Sequence, residues 1–514
     1  MSTESYPKNR FAVVGICVFL GALAFYLPGL ARSAMAGDPA VYCTRSALLL
    51  VDSFAQTHSL FLLLGHGVIR VTGFSAPVAL SLLAAVCGAG VLCGVALLVM
   101  MLCGSVWAAL ASAASLLVAH TLWMHAVMPE VYTLNLLFLV VMFIAAWRWL
   151  EQDDALWLTL IAFCGAWGSS NHLSAGLNAA LVLGWAFVVS LRRGVRWSHW
   201  LAAVLAGVVG LLPLAFLFWR DVGAHGFSVA AAQFFSGGSG VTGETLKQYG
   251  NSMFGLGGFR AYVFQFLACL LALGYNFAGP QLLFAGFGAW GMQPPARGFR
   301  LPLLLVFVVN FVFSATYGIN EFWAFLLPCW LVVAVLVGLG WGGVFKFFGA
   351  YFEVSNTVRF GFVALMFLLP VGVYRLAVLT VENVSISVLE AKRDLGQVAQ
   401  GKDYYRFYLW PPKGSSSKAD AAWLETVDTR LWNGDVLALR QAYYNLATYA
   451  RLVEGRFEEN AVVALNGRDL RRRLQFGQRV FVAHPADFDE TGLHEAGYVL
   501  KPAGDGLFRV VRRP

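Results

Sequence analysis

"GSVWAALASAASLLVAHTLWMHAVMPEVYTLNLLFLVVMFIAAWRW" occupies residues 104–149. Two apolar runs flank a more polar break, "HAVMPEVYTLN" at 125–135. Each run is long enough to cross a hydrocarbon core of roughly 30 Å. The stretch therefore reads as two membrane helices joined by a turn. The turn carries a carboxylate, Glu130, with Pro129 before it and His125 about one helical turn earlier. An ionisable group beside a bilayer is costly. Glu130 either stabilises a helix start, where the macrodipole favours an acid, or does chemistry at the membrane surface.

The same pattern extends along most of the chain. The 514 residues are 59% hydrophobic and 12% charged, against about 25% charged in an ordinary soluble domain. The shortfall lies in residues 1–380, whereas 381–514 have the composition of a soluble domain. The expected fold class is a polytopic α-helical membrane protein with a C-terminal extracytoplasmic α/β domain. The hydropathy pattern predicts eleven crossings, at 11–30, 76–101, 104–124, 131–149, 154–170, 174–191, 198–219, 276–293, 301–317, 322–343 and 358–379. Residues 11–30 are longer and more apolar than a signal-peptide core and read as a retained helix. The stretch 243–275 is interrupted by Arg260 and Gln265, which predicts a helix at the interface or packed on the bundle. A large first outer loop, 31–75, has helical apolar spacing with Arg45, Asp52, His58 and His66 between, as in amphipathic helices.

Basic residues of short loops favour the cytoplasm. Lys8, Arg10, Arg148, Arg192, Arg193, Arg196, Arg297, Arg300 and Lys346 all fall on one side of an eleven-crossing chain. This predicts a multi-pass membrane protein with a cytoplasmic N-terminus and an exported C-terminal domain, periplasmic or extracellular. Four polar stretches then share the outer face: "GDPAVYCTR" (37–45), "HAVMPEVYTLN", "SSNH" (169–172) and "WRDVGAH" (219–225).

The tail alternates strand and helix signals. "DVLAL" (435–439), "AVVAL" (461–465) and "RVFVAH" (479–484) read as strands. Helices are expected over 440–455, closed by Gly455, and over 467–475. A short helix and a hairpin, "YVLKPAGDGLFRVV" (498–511), complete a small α/β sandwich with a largely parallel sheet. No glycine-rich phosphate loop occurs in it. All eight cysteines lie between Cys17 and Cys329, none in a CxxC pair, so the tail has no disulfide framework or thiolate metal site. The net charge of +8 sits at helix ends and in the tail, which argues against a nucleic-acid partner.

Several polar residues have a structural and a chemical reading. Asp38-Pro39 reads as a helix N-cap followed by Pro at the first helical position, and a capped start also holds its carboxylate rigidly. His58 interrupts "QTHSL" where helical periodicity weakens. Asp52 and His66 suit the wet faces of amphipathic helices. Asn171 and His172 either satisfy frayed backbone or line an outer site. The histidines can also suit a divalent cation, although no HxxxH or HExxH spacing occurs.

A first helix, Asp38, His58 twenty residues on, "WMHAVMPEVYTLN" (123–135) and then Asn171-His172 form a recognisable order. It resembles the bacterial and animal membrane-protein family related to protein O-mannosyltransferases, within the glycosyltransferase-C (GT-C) superfamily. "YGINEFWAFLLP" (317–328) looks like that family's outer segment before a late helix. Ala40 and Val41 stand where the family carries a second acid, and Ser59-Leu60-Phe61 where it has Pro-Pro-Gly. The resemblance implies transfer of mannose or a similar hexose from a polyprenyl-phosphate carrier, at the outer face of the bilayer. The acceptor is a hydroxyl, of protein Ser/Thr or of an envelope glycan. It makes Asp38 the base, and Glu130 a group that positions the acceptor, Asp38 or a metal. His58, His125, Tyr132, Asn171 and His172 are then substrate-binding residues. Arg220 suits the donor phosphate, which a guanidinium matches in geometry; its bland alternative is a snorkelling arginine. Two other classes stay open. A transporter or flippase of lipid-linked glycans should show inverted repeats and midplane polar groups, and no repeat is found. A catalytically inactive scaffold would keep the fold without the chemistry.

Overall fold

The computed structural model describes residues 8–51, 58–236, 258–291, 296–317, 322–351, 353–383, 408–457, 460–483, 488, 491–504 and 507–513. Asp52, and residues 318–321 of "YGINEFWAFLLP", lie outside them.

The membrane part is helical because its sequence is apolar on nearly every face, so only intrahelical hydrogen bonds can satisfy its backbone in lipid. In chain order the helices are α1 (Lys8–Tyr26), α2 (Asp38–Leu48), α3 (Ser59–Thr72), α4 (Ala76–Cys103), α5 (Val106–Leu117), α6 (His120–Ala126), α7 (Tyr132–Gln152), α8 (Ala155–Ser169), α9 (Leu173–Arg193) and α10 (Trp197–His225). They continue with α11 (Phe227–Ser236), α12 (Phe259–Asn276), α13 (Gln281–Trp290), α14 (Arg300–Thr316), α15 (Phe322–Phe325), α16 (Leu327–Gly349) and α17 (Asn356–Asn383). Among the described residues eight helices are long and apolar enough to span a bilayer, or ten if each of two bent pairs counts as a span. The 15-residue α8 is a further, shorter apolar helix.

Three expectations need correction. The predicted crossing 104–124 is two helices, α5 and α6, bent by 71°. The predicted crossing 276–293 holds only the ten-residue α13, which joins α12, from the stretch expected at the interface, as a pair bent by 106°. Asn276 pins that corner, because its side-chain oxygen accepts from Thr121 N–H at 2.8 Å while its amide donates to Ala272 at 2.8 Å. "WRDVGAH" is not a loop, because α10 continues through it to His225. Asp221 is buried there and paired with Arg220, so the helix carries its charges without breaking.

Four indoles, of Trp147, Trp149, Trp330 and Trp341, are fully buried in the main core. Close helix approach relies on small residues, as is usual between membrane helices. Gly288 of α13 abuts the Leu336 carbonyl, and Gly340 of α16 abuts the Phe284 carbonyl. A Cβ at either position would collide with backbone.

The C-terminal unit builds a five-stranded sheet from β1 (Val436–Leu439), β2 (Ala461–Ala464), β3 (Val480–Val482), β4 (Tyr498–Gly504) and β5 (Leu507–Arg512). The order is β2-β1-β3-β5-β4. The first three strands are parallel, and β5 and β4 add antiparallel, so the sheet is mixed rather than largely parallel. The expected helices are present as α19 (Gln441–Glu454) and α20 (Gly467–Gln475), and Gly455 closes α19 in the left-handed conformation. In the stretch where a short helix is expected before the hairpin, Phe488 is helical and 491–497 are turns, while 484–487 and 489–490 lie outside the described residues. Another helix, α18 (Gly414–Arg430), precedes the sheet.

This unit is joined to the segment between α1 and α4. Tyr42, Phe61 and Leu80 share one buried cluster with Trp423, Val427, Tyr443 and Leu446, and α2 packs against α19. Backbone groups bridge the two parts as well. Lys413 N–H donates to Gly29 at 3.0 Å, and the Asp420 carboxylate accepts from Ala36 N–H at 3.0 Å.

Candidate active site

Asp38 begins α2. The N-cap is Gly37, at φ 93°, where L side chains are strained, and Pro39 follows within the first turn. Asp38 is thus the first helical residue and not the cap, and no side-chain cap bond forms. Its carboxylate still sits where the helix dipole favours an acid. Asp38 is open to solvent, yet protein closes around it on its other sides. That desolvation raises its pKa above the usual carboxylate value.

One turn along α2, Tyr42 meets His58 edge-on, with ring centroids 5.5 Å apart. His58 caps α3 at φ 52°, an unusual backbone conformation for a residue with a side chain. Its Nδ1 lies 2.6 Å from the Asn171 carbonyl oxygen. A carbonyl can only accept, so Nδ1 carries the proton and Nε2 the lone pair.

The His58 ring lies nearly parallel to that of His172, at 5.4 Å and 15°. His172 approaches Tyr132 at 5.6 Å, and Tyr132 approaches His125 at 4.9 Å. One chain of rings therefore runs Tyr42–His58–His172–Tyr132–His125, across residues up to 130 positions apart. His58 and His172 are both held neutral. Burial pushes His58 down to about 4 and His172 down to about 3. Two imidazolium rings stacked this closely would repel.

Hydrogen bonds order the chain from behind. Asn135 donates to Ser174 Oγ at 2.8 Å, and Ser174 Oγ lies 2.8 Å from His172 Nδ1. Ser174 N–H also donates to that nitrogen at 3.2 Å. His172 Nδ1 is therefore an acceptor, and Nε2 bears the proton. Asn171 is fully buried and its amide donates to the Val131 carbonyl at 3.0 Å. This ties the turn before α9 to the turn before α7. Glu130, in the latter turn, is 3% exposed, so it is enclosed rather than spread on the membrane surface. His125 is buried too, and neither ring nitrogen has a hydrogen-bond partner among the described residues.

The structure thus gathers His58, His125, Tyr132, Asn171 and His172, with Glu130 two residues from Tyr132 and Asp38 one turn from Tyr42. Arg220 lies near the end of α10 and pairs with its neighbour. Its Nε and Nη2 both donate to Asp221 Oδ1, at 3.0 and 2.8 Å. His66, assigned to a wet face, is half-buried and bonds the Ser46 carbonyl at 2.8 Å. Among the described residues no three His, Cys, Asp or Glu side chains are placed to hold a metal ion together. Sequence reasoning passed over Tyr42, Asn135, Ser174 and Phe325, which packs on both His172 and Tyr132. Asn135 closes the "EVYTLN" stretch, and that adjacency was the available signal. Tyr42 and Ser174 had none beyond standing one turn and two residues from the named candidates.

Residues 57–198, which span this ring chain from His58 through His172, match the family described as protein O-mannosyl-transferase TMEM260 N-terminal domain. The whole fold resembles the crystal structure of ArnT from Cupriavidus metallidurans in the apo state. The TM-score is 0.55 at 13% identity, over 97% of this chain and 96% of that one. Over residues 57–198 the chain is similar to that family, and its overall fold is like that of ArnT. The likeness of fold extends to two archaeal oligosaccharyltransferase structures. One is the Archaeoglobus fulgidus enzyme tethered to an acceptor peptide, with a TM-score of 0.50 and 12% identity over 99% of this chain and 74% of that one. The other is AglB from the same organism with an inhibitory peptide and a dolichol-phosphate, with a TM-score of 0.50 and 14% identity over 98% and 74%. No curated protein sequence matches significantly. The shared fold and the run of apolar helices are those of a multi-pass membrane protein.

Proposed function

We propose that this protein is a GT-C glycosyltransferase that transfers a hexose, mannose or a close relative, from a polyprenyl-phosphate carrier to a hydroxyl acceptor at the outer face of a bacterial inner membrane. Protein serine or threonine is the acceptor that the family favours. The observation that carries the reading is the ring chain built from the motif residues, with Asp38 accessible one turn beyond its end. Asp38 takes the proton of the attacking hydroxyl. The sugar's anomeric carbon forms a bond to that oxygen and releases the carrier phosphate on the opposite side. A base gains from a pKa raised toward the working pH, which is the direction burial moves Asp38. His172 Nε2–H is a donor for a sugar or acceptor oxygen, and His58 Nε2 is an acceptor. Glu130 orients the acceptor or Asp38 from the enclosed turn. AglB was solved with a dolichol-phosphate, a carrier of the chemical class proposed here.

The test is a transfer assay with the purified full chain, a polyprenyl-phosphate-linked mannose and a serine- and threonine-containing peptide. Expected is a hexosylated peptide with stoichiometric release of polyprenyl phosphate. Movement of the intact lipid-linked sugar across vesicles without transfer would favour the flippase class and overturn this reading.

A further inference from the structure

Between α1 and α2 the chain is neither helix nor strand over residues 30–37. Asp38 is the first residue beyond this segment, so whatever holds the segment sets where its carboxylate stands. An irregular stretch has no ladder of its own, and partners for its backbone groups must come from elsewhere. Two elements supply them here. Ala31 N–H donates to the Val127 carbonyl at 2.7 Å, three residues before Glu130. Ala31 and Met35 are buried in one cluster with Met124 and Met128.

The second element is α18, from the C-terminal unit. Lys413 N–H, at its N-cap, donates to the Gly29 carbonyl at 3.0 Å. Arg32 N–H donates to Ser417 Oγ at 3.3 Å, and Ala36 N–H donates to the Asp420 carboxylate at 3.0 Å. Positions 413, 417 and 420 follow the four- and three-residue spacing of one helix face. α18 therefore lies along the segment and meets it three times in order. One and two turns on, Leu424 and Val427 continue that face into the buried cluster that holds Ala34, Ala40 and Tyr42. An apolar side chain at 417 or 420 would pack there too, but would remove the acceptor of the Arg32 or Ala36 N–H.

We propose that Ser417 and Asp420 are positioning residues for Asp38: they hold the 30–37 segment, and with it the start of α2, in the place where the carboxylate can meet the attacking hydroxyl. The inference rests on the reading of Asp38 as the base. It gives the C-terminal unit a part in the reaction through backbone contacts. Only Gly37 separates Ala36 from Asp38, and a misplacement of about 1 Å at a reacting group can cost 10²-fold in rate.

The test compares Asp420→Ala with Asp420→Asn in the full chain, because the asparagine keeps an oxygen for the Ala36 N–H. In the transfer assay, Asp420→Ala should lower kcat per folded molecule about tenfold or more, on the scale of such a misplacement, with KM for donor and acceptor nearly unchanged. Asp420→Asn should restore most of the loss. Amide hydrogen exchange over residues 30–38, which needs no substrate, should quicken in Asp420→Ala and stay near the wild type in Asp420→Asn. If Asp420→Ala does not fold, Ser417→Ala makes the same comparison through Arg32, with Ser417→Thr as the restoring variant. An unchanged kcat per folded molecule, unchanged exchange, or an equal loss in Asp420→Asn would mean that α18 only docks the C-terminal unit and would overturn the inference. Near-full activity in Asp38→Asn, measured alongside, would instead remove the base reading beneath it.

Discussion

At the scale of single residues, the site depends on neutral, oriented imidazoles. His58 donates from Nδ1 and His172 accepts at Nδ1, so the two stacked rings present opposite functions at Nε2. Their low pKa values have a consequence with a definite sign. An unfolded chain takes up protons on these histidines below about pH 6.5, whereas the folded chain resists until about 4 for His58 and about 3 for His172. The folded state binds fewer protons in that window. Stability contributed by the pair is therefore complete above pH 6.5 and is lost as pH falls toward 4. Thermal unfolding of the solubilised chain across this range should show that decline, and His172→Asn should flatten it. An equal slope in the variant would count against the burial argument. The candidates themselves were legible in sequence, because polar residues stand out in apolar runs. Their partnerships were not, since the ring chain joins residues as far apart as Tyr42 and His172.

At the scale of elements, hydropathy located the apolar segments well and their corners poorly. A bend of 71° between α5 and α6, or of 106° between α12 and α13, changes direction without interrupting the apolar composition. The strands β1, β2 and β3 were legible because short apolar runs bounded by turn residues can do little else in a soluble unit. The antiparallel addition of β5 beside β3 depends on pairing between distant strands, which no local pattern encodes. α18 escaped notice because its sequence, "GSSSKADAAWLETVDTR", is weakly amphipathic. Glycine packing at the α13–α16 contact permits a direct test. Gly340→Leu should lower the unfolding temperature markedly, since overpacking costs about 1–3 kcal/mol or more where backbone is struck. Gly343→Leu, with nothing within 4 Å of its would-be Cβ, should leave that temperature nearly unchanged. Similar shifts in the two variants would show that the close approach does not hold the pair.

For the whole molecule, a bundle of apolar helices, the loop after its first helix and a C-terminal unit packed on that loop are joined. Arrangement of the basic loop residues predicts that the C-terminal unit is exported. A reporter fused after Pro514 that is active only outside the cytoplasm should therefore be active, and cytoplasmic activity would reverse the sidedness and move the site to the other face. The central claim is that Asp38 is the base and Glu130 an orienting group. It is tested most directly by transfer rates of the full chain carrying Asp38→Asn or Glu130→Gln, measured against the wild type with the same lipid-linked donor and hydroxyl peptide. Asp38→Asn preserves shape, and the account predicts a loss of about 10²–10⁴-fold in turnover with folding intact. Glu130→Gln should retain part of the activity, with acceptor affinity falling as much as turnover. Near-full activity in Asp38→Asn together with none in Glu130→Gln would contradict the assignment and exchange the two roles, and full activity in both would place neither acid in the site.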